Sequence, residues 1–353
     1  MTEATSAYAA AGVDIEAGDR AVELMKAHVA RTRRPEVLGG LGGFAGFFDA
    51  SAFKGYDHPV LATSTDGVGT KVAIAQALDK HDTIGFDLIG MLVDDLVVVG
   101  AEPLFVTDYI ACGKVVPERI ADIVKGIATA CEVAGAALLG GETAEHPGLL
   151  EPDEYDIAGA TTGVVERSKI LGPDRVRPGD VVVALASSGL HSNGYSLVRH
   201  VLLNRAGWAL DRDVPELGTT LGEELLTPTQ VYAQDILALI EAAEVHAISH
   251  VTGGGLANNL ARVLPAGLVA TLRRDSWTPP AIFQLVQQVG QVSQPDIEAT
   301  LNMGVGMALV APADAVDQLV RTASDRGLTA WVLGETVAVE GDARVDLTGS
   351  HAG

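Results

Sequence analysis

The sequence is poor in cysteine, and its two cysteines, Cys112 and Cys131, have no spacing that is typical of metal ligands. A multi-bridge disulfide scaffold and a cysteine-rich zinc site are therefore excluded. Residues 1–20 lack the basic start and the long apolar run of a secretory signal. We expect a reduced, cytoplasmic chain with buried thiols.

Basic residues and long apolar runs are also scarce. Lys and Arg number 24 against 46 Asp and Glu, which gives a formal net charge of −22. Such a surface repels a phosphate backbone, so nucleic acid is not an expected partner. No stretch reaches the roughly 18 uninterrupted apolar residues of a membrane helix, and we expect no membrane association.

Aromatic residues make up 5% of a chain that is 48% hydrophobic, so the predicted core is aliphatic. At 353 residues the chain is long enough for two domains. Strand-like apolar stretches alternate with stretches of helical spacing, which is typical of α/β layers. Because segment 172–180 is rich in turn residues, we predict an N-terminal domain over 1–170 and a C-terminal domain over 171–353.

Acidic residues stand at predicted strand and helix ends of the N-terminal half. Asp66 follows an apolar strand and opens a glycine-rich turn, and helical spacing places Asp95 on the face predicted to be buried. An unpaired buried carboxylate is costly and needs a cation, hydrogen bonds or a proton. Because Mg²⁺ prefers carboxylate and phosphate oxygens, we predict that Asp66 and Asp95 bind Mg²⁺ carrying a nucleoside triphosphate.

Two further acidic residues belong to the same set, and each has an alternative interpretation. Glu142 follows an apolar run that ends in small residues, where it is either a metal ligand or an acid at a helix N-terminus. Asp94 points away from Asp95 on the predicted helix and is either a ligand or a solvent-facing residue.

Several turns supply candidate phosphate contacts. The loop 39–46 contains five glycines, whose N–H groups either wrap phosphates or form a flexible turn. Lys71 stands at a predicted helix start and is either a phosphate contact or an ordinary ion pair. His191 lies in the loop 187–194, where it is either an acid/base group or phosphate donor, or a structural hydrogen-bonding histidine.

Nine segments between Tyr8 and Gly334 together resemble the phosphoribosylformylglycinamidine cyclo-ligase family. They are YAAAGVDIEAG, GGLGGFAGFF, TSTDGVGTK, DLVVVGAEPLFVTDYIACGK, GGETAEHPG, YDIAGATTGVVE, LASSGLHSNGYSLVR, HVTGGGLANNLARVLP and NMGVGM. The spacing Asp-x4-Gly-Ala-x-Pro, from Asp95 to Pro103, resembles the signature of the wider ATP-using superfamily that includes thiamine-phosphate kinase.

The resemblance implies two α/β domains. The N-terminal domain is expected to contribute strands to the β-barrel of a homodimer, and the C-terminal domain to carry a sheet flanked by helices. The implied reaction uses ATP and Mg²⁺ to close formylglycinamidine ribonucleotide into 5-aminoimidazole ribonucleotide, with release of ADP and phosphate, in purine biosynthesis. Phosphoryl transfer to the amide oxygen makes that oxygen a leaving group.

The resemblance also implies roles for single residues. The implied catalytic residues are His191, Asp95 and Lys71. The implied ATP contacts are Gly42, Gly43, Lys26, Lys71 and Asp66. The implied substrate contacts are Ser188, His191, Ser192, Asn193, Gly253 and Gly254. The implied metal ligands are Asp66, Asp95, Glu142 and Asp94.

Four positions depart from the family pattern. Asp94 stands where Asn is usual, His146 where Met is usual, Gln230 where a basic residue is usual, and Leu301 where Phe is usual. Asp94 adds a negative charge next to Asp95. Two other functions remain open, namely another small-molecule kinase or synthetase of the superfamily and a nucleotide-binding dimerisation module without turnover.

Overall fold

The computed structural model describes residues 15–40 and 42–351, so residues 8–14 of the first matching segment lie outside the described residues. The α-helices are α1 (Ile15–Arg31), α2 (Val72–Leu78), α3 (Ile84–Val97), α4 (Pro117–Ala134), α5 (Tyr195–Val198), α6 (Leu221–Leu225), α7 (Ala233–Ala242), α8 (Gly255–Ala261), α9 (Ala281–Gly290), α10 (Gln294–Glu298) and α11 (Val316–Asp325). A π-helix over Arg199–Arg205 continues α5.

The strands form two main sheets, one in each half of the chain, and two short hairpins. They are β1 (Val37–Leu38), β2 (Phe47–Phe48), β3 (Pro59–Gly67), β4 (Glu102–Cys112), β5 (Ala137–Glu145), β6 (Tyr155–Glu166), β7 (Val181–Ala186), β8 (Asp213–Val214), β9 (Thr219–Thr220), β10 (Ala247–His250), β11 (Leu268–Arg273), β12 (Val305–Ala311), β13 (Ala330–Ala338) and β14 (Arg344–Thr348). The predicted alternation of strands and helices is confirmed.

The N-terminal sheet has the strand order β3-β6-β4-β5. Strands β3 and β4 pair antiparallel with β6, and β5 pairs parallel with β4. Helix α3 packs against β3 and β6, α4 packs beside α3, and α1 packs on α4. The opposite face is open, since alternate side chains such as Leu61 and Tyr109 are 60% and 41% exposed.

The C-terminal sheet has the order β10-β12-β7-β13-β11-β14. Its pairs are antiparallel except for β11 and β14. The central strands are almost continuous apolar runs, as expected for strands covered on both faces. Helices from this half pack on the sheet, as the resemblance implies. No helix in the described portion combines the length and apolar character that a membrane crossing would need.

Helix α3 is buried nearly all round and forms the centre of the molecule. It contacts the N-terminal sheet, α4 and α7. Of its 14 residues Asp95 alone is exposed, with a side chain 45% accessible, whereas Asp94 is fully buried. The predicted orientation of these two aspartates is therefore wrong, because apolar spacing sets no single face on a helix that is covered from several sides.

The C-terminal strand β14 is held by a nearly buried ion pair. Arg274 donates to both carboxylate oxygens of Glu298, at 2.7 and 2.8 Å, and to the carbonyl oxygen of Leu347 at 2.7 Å. Burial alone would raise the pKa of Glu298, but hydrogen bonds from Arg274, His351 and Gln294 outweigh it and lower the pKa to about 2.

This ion pair makes the stability of the chain pH-dependent. Because the folded state lowers the Glu298 pKa from 4.5 to about 2, the contribution is present above about pH 4.5 and lost as pH falls through about 2. We expect Glu298→Gln to lower the free energy of unfolding by about 2–3 kcal/mol at neutral pH. Urea unfolding from about pH 7 to pH 3 measures this difference, which should shrink at the acid end. A constant difference, or an equal loss from Asp346→Asn at the exposed Arg344 pair, would contradict the assignment.

Candidate active site

The two halves of the chain meet along helix α3, where aspartates bind groups of the C-terminal half. Asp94 accepts a hydrogen bond from the N–H of Tyr232 at 3.0 Å. Asp95 Oδ1 lies 2.9 Å from Nδ1 of His250, at the end of β10. Because an ionised carboxylate only accepts hydrogen bonds, the proton of this second contact lies on Nδ1. The exposed side of α3 therefore lies at a junction between the two halves.

Asp66 lies on the face of the N-terminal sheet that α3 covers, and Asp95 of α3 is near enough for its charge to act on Asp66. Asp66 is the last residue but one of β3 and accepts a hydrogen bond from the Gly67 N–H at 2.7 Å. The pKa of Asp66 is raised above its usual value, mainly by burial and also by the charge of Asp95. The hydrogen bond from the Gly67 N–H and the charge of His250 act in the opposite direction. Two carboxylates close enough to repel each other are a donor set that suits a divalent cation.

Within one chain, Glu142 does not lie next to Asp66 and Asp95. It is part of β5 and pairs with Tyr109, whose exposed side chain is on the open face of the sheet. Asp66 pairs with Gly159, where an added Cβ would lie 2.8 Å from Leu92 of α3 on the covered face. Since paired residues share a face, Glu142 and Asp66 lie on opposite faces and cannot share an ion within one chain. The helix N-terminus alternative is also wrong, because Glu142 lies within a strand.

Asp94 is neither solvent-facing nor available to a metal. Its side chain is fully buried, and both oxygens face the Tyr232 N–H, at 3.0 and 3.3 Å. Burial raises the pKa of Asp94 well above its usual range, against the Tyr232 hydrogen bond. In the part of the chain described, no group of three or more His, Cys, Asp or Glu side chains is arranged to hold a metal. Phosphate oxygens and water would have to complete the coordination of an ion at Asp66 and Asp95.

Lys71 is completely buried, and its ammonium group has three hydrogen-bond acceptors within the protein. Nζ lies 2.6 Å from Oδ1 of Asp87, 2.9 Å from the carbonyl oxygen of His191 and 2.7 Å from that of Thr227. An ammonium has three protons, so none remains for a phosphate. The predicted phosphate contact of Lys71 therefore does not fit this structure, and the alternative, an ion pair, is what the structure contains.

His191 is 2% exposed and adopts a left-handed backbone conformation with φ 62°. The Ser188 N–H donates to Nε2 at 3.1 Å, so a neutral ring carries its proton on Nδ1, which has no partner among the described residues. Burial lowers the pKa of His191 well below its usual range, and positive charges on His250 and Lys71 act in the same direction. His191 is therefore a neutral hydrogen-bond donor at neutral pH.

The rest of the His191 loop is bonded to the N-terminal half and to a neighbouring turn. The Ser192 hydroxyl donates to the Val68 carbonyl oxygen at 2.6 Å, and Asn193 Nδ2 lies 3.2 Å from the Met91 sulfur. Asn193 Oδ1 would lie 3.3 Å from a Cβ at Gly253, so this position favours a residue without a side chain. The structure thus places Ser192, Asn193 and Gly253 together.

Two residues of this region were missing from the predicted site. His250 lies against Asp95, and Asn302 donates to the Gly189 carbonyl oxygen at 2.9 Å while accepting from the Ser187 hydroxyl at 3.2 Å. Both stand at junctions of a strand with a glycine-rich turn, which was the available signal. Gly254, four residues after His250, has φ 101°, a conformation that disfavours any other residue.

The predicted ATP contacts at the glycine-rich loop lie elsewhere in the chain. Lys26, Gly39 and Gly40 line a cavity of about 240 Å³ between α1 and β5, and Lys26 is paired with Glu23. Gly42 and Gly43 lie on an exposed turn beside it. Because β5 and β3 are opposite edges of the sheet, the edge beside this region and the edge that carries Asp66 are about 14 Å apart across the sheet, at ~4.8 Å per strand spacing.

Known protein families match most of the chain. The N-terminal domain of the AIR synthase related proteins matches residues 49–165, and their C-terminal domain matches residues 177–346. A phosphoribosylformylglycinamidine cyclo-ligase from Shouchella clausii is 52% identical over 96% of this chain and 97% of its own length. A cyclo-ligase of the same name from Brevibacillus brevis is 52% identical over 95% and 97%.

Solved structures share the fold at much lower identity. A thiamine-monophosphate kinase from Stenotrophomonas maltophilia has a TM-score of 0.67 at 20% identity and covers 94% of this chain and 97% of its own. The hydrogenase maturation protein HypE in complex with ATP has a TM-score of 0.62 at 19% identity, covering 91% and 87%. Identity near 50% over nearly the whole length is what separates the cyclo-ligases from these neighbours, and the chain belongs to the phosphoribosylformylglycinamidine cyclo-ligase family.

Proposed function

We propose that this chain closes formylglycinamidine ribonucleotide into 5-aminoimidazole ribonucleotide at the expense of ATP, releasing ADP and phosphate, as a ligase of purine biosynthesis. The observation that carries the proposal is 52% identity to a curated cyclo-ligase over 96% of the chain. The junction of Asp66, Asp95 and the His191 loop is the region of the structure that suits this chemistry.

The reaction needs charge neutralisation and positioning more than covalent help from the protein. An amide oxygen is a poor leaving group, and transfer of the γ-phosphoryl group converts it into phosphate. The amidine nitrogen then attacks the activated carbon and closes the five-membered ring. Placing both reactants in one cleft supplies the orientation for these two steps.

Asp66 and Asp95 are the residues that would hold Mg²⁺, which when bound neutralises the triphosphate oxygens. Their contacts leave oxygens free, because Asp66 uses Oδ1 for the Gly67 N–H and Asp95 uses Oδ1 for His250. The His191 loop and the turn at Gly253 and Gly254 are the proposed substrate side. Lys26, Gly42 and Gly43 remain proposed ATP contacts by resemblance.

Release of ADP tests the proposed reaction directly. With formylglycinamidine ribonucleotide and Mg-ATP, we expect substrate-dependent ADP and phosphate together with the absorbance of the imidazole product. ADP release with thiamine monophosphate instead would favour the kinase alternative. No substrate-dependent ADP above background would refute the cyclo-ligase assignment.

We also propose that the chain acts as a homodimer through the open face of the N-terminal sheet, as the resemblance implies. This face exposes Leu61 on β3 and Tyr109 on β4, and β3 is an edge strand. The free, buried Cys112 and Cys131 agree with a reducing, cytoplasmic location.

We also propose that the chain divides into its N-terminal and C-terminal domains between residues 170 and 171.

Charge introduced on the open face should dissociate this dimer. We expect Leu61→Arg to convert the dimer to a monomer, because a buried unpaired guanidinium is costly. Sedimentation equilibrium measures the mass. The control is Val133→Arg, an exposed apolar position on α4 that lies away from this face. A wild-type monomer, or equal effects of both variants, would contradict the proposed surface.

A further inference from the structure

We propose that Lys71 and Asp87 form a buried clasp that positions the His191 loop against α3, and are therefore positioning residues for the reaction. The kinetic part of this inference rests on the proposed function. The clasp comprises the Lys71 ammonium, the Asp87 carboxylate, the backbone of His191 and segment 227–229.

The Lys71 side chain joins two segments that are far apart in sequence. Its ammonium donates to Asp87 Oδ1 and to the carbonyl oxygens of His191 and Thr227, at 2.6, 2.9 and 2.7 Å. Its accessible surface is zero, so water cannot substitute for any of these acceptors. Without the ammonium, the buried carbonyl group of His191 and the partly buried one of Thr227 both lose this donor.

The Asp87 side chain holds the same segment from the α3 side. Its Oδ1 accepts from the Thr229 N–H at 3.1 Å and from the Thr229 hydroxyl at 2.6 Å, in addition to Lys71. Both members of the ion pair are completely buried, so each compensates the charge of the other. The result is a neutral unit that links α3 to two segments of the C-terminal half.

The backbone that the clasp holds is conformationally demanding. His191 has φ 62°, in the left-handed region that few residues other than glycine adopt, although histidine is among the residue types found there more often. Its carbonyl group is held by Lys71, and its ring accepts from the Ser188 N–H. The Ser188 hydroxyl in turn donates to the Pro228 carbonyl oxygen at 2.7 Å. The loop and segment 227–229 are thus fixed to each other as well as to the clasp.

The position of the clasp gives it a role beyond stability. Asp87 stands on the same helix as Asp95, eight residues earlier, or about 12 Å along the axis. By holding the carbonyl group of His191, the clasp sets where the His191 loop stands relative to the carboxylates at the other end of α3. A buried ion pair is often no better for stability than an apolar pair of equal volume, so positioning explains its presence better.

The test separates charge balance from positioning. Lys71→Met alone leaves the Asp87 carboxylate buried and unpaired, and we expect a large fall in melting temperature. The double variant Lys71→Met/Asp87→Asn restores neutrality and keeps an acceptor for Thr229, and we expect it to recover much of that fall. It still lacks the ammonium group that binds both carbonyl oxygens, so we expect kcat/KM for formylglycinamidine ribonucleotide to stay at least about 100-fold below wild type. KM for ATP should change less than about 3-fold.

Amide hydrogen exchange gives a readout that does not require turnover. In the folded double variant we expect at least about 10-fold faster exchange in peptides spanning 187–194 and 226–232, with β3 and β6 unchanged. The matched control is Lys125→Met/Asp82→Asn, the same exchange at an exposed ion pair, which should change neither readout.

Several outcomes would overturn the clasp. Wild-type kinetics with unchanged loop exchange in the double variant would do so, as would a uniform rise in exchange over the whole chain. If the wild type shows no turnover of formylglycinamidine ribonucleotide, the proposed function fails, and the exchange experiment alone decides the clasp.

Discussion

Replacing Asp95 with asparagine is expected to lower kcat by at least about 100-fold while the fold stays intact. The asparagine side chain would keep an oxygen that accepts from His250 Nδ1, which lies 2.9 Å from Asp95 Oδ1. The change therefore removes the negative charge and little else. Because Asp66 is the nearby carboxylate, one charge would remain where two are proposed to hold the ion. We also expect the Mg²⁺ concentration needed for half-maximal rate to rise.

Asp94→Asn is the matched control, one residue away on the same helix. Its amide oxygen can accept the Tyr232 N–H as the carboxylate does. We expect near wild-type turnover and unchanged Mg²⁺ dependence. Steady-state ADP release over a Mg²⁺ titration, with circular dichroism on each variant, measures both. Normal turnover in Asp95→Asn would refute its metal role.

Replacing His191 with asparagine is expected to lower kcat/KM for formylglycinamidine ribonucleotide by about 100-fold or more. Asparagine tolerates the left-handed backbone at this position, so the substitution removes the ring without forcing the loop to refold. It removes the Nδ1–H donor that has no partner among the described residues. The stability cost should be about 1 kcal/mol, the value of the lost hydrogen bond from the Ser188 N–H.

Kinetics and thermal unfolding of the same preparation check this result. His200→Asn is the control, because His200 is exposed on the π-helix that follows the loop. We expect it to match the wild type in both measurements. Unchanged kinetics in His191→Asn, with only the small loss of stability, would restrict His191 to a structural role.

Local patterns predicted the elements well and their faces poorly. The helix predicted to start at Lys71 is α2, because helical spacing is a local property of the chain. The face of α3 that binds the C-terminal half does not follow from spacing, because apolar residues cover nearly its whole circumference. Only packing shows that Asp95 is exposed and Asp94 buried.

The register of the N-terminal sheet separates Glu142 from the rest of the predicted acidic cluster. The apolar run alone predicts a strand that ends before Glu142, but pairing with β4 extends β5 through Glu145. A side chain within a strand alternates strictly between faces, so this extension assigns Glu142 to the open face. The sequence of β5 alone does not indicate how far its partner strand β4 extends.

The sequence by itself determined the alternation of strands and helices, the family and the residues that can carry the chemistry, because these depend on residue type and short spacing. The tertiary structure decided which of those residues meet. It placed Asp66 beside Asp95, Asp95 against His250, and Lys71 in an ion pair rather than at a phosphate. Such contacts join groups up to 155 residues apart, and their geometry is set by how whole elements pack.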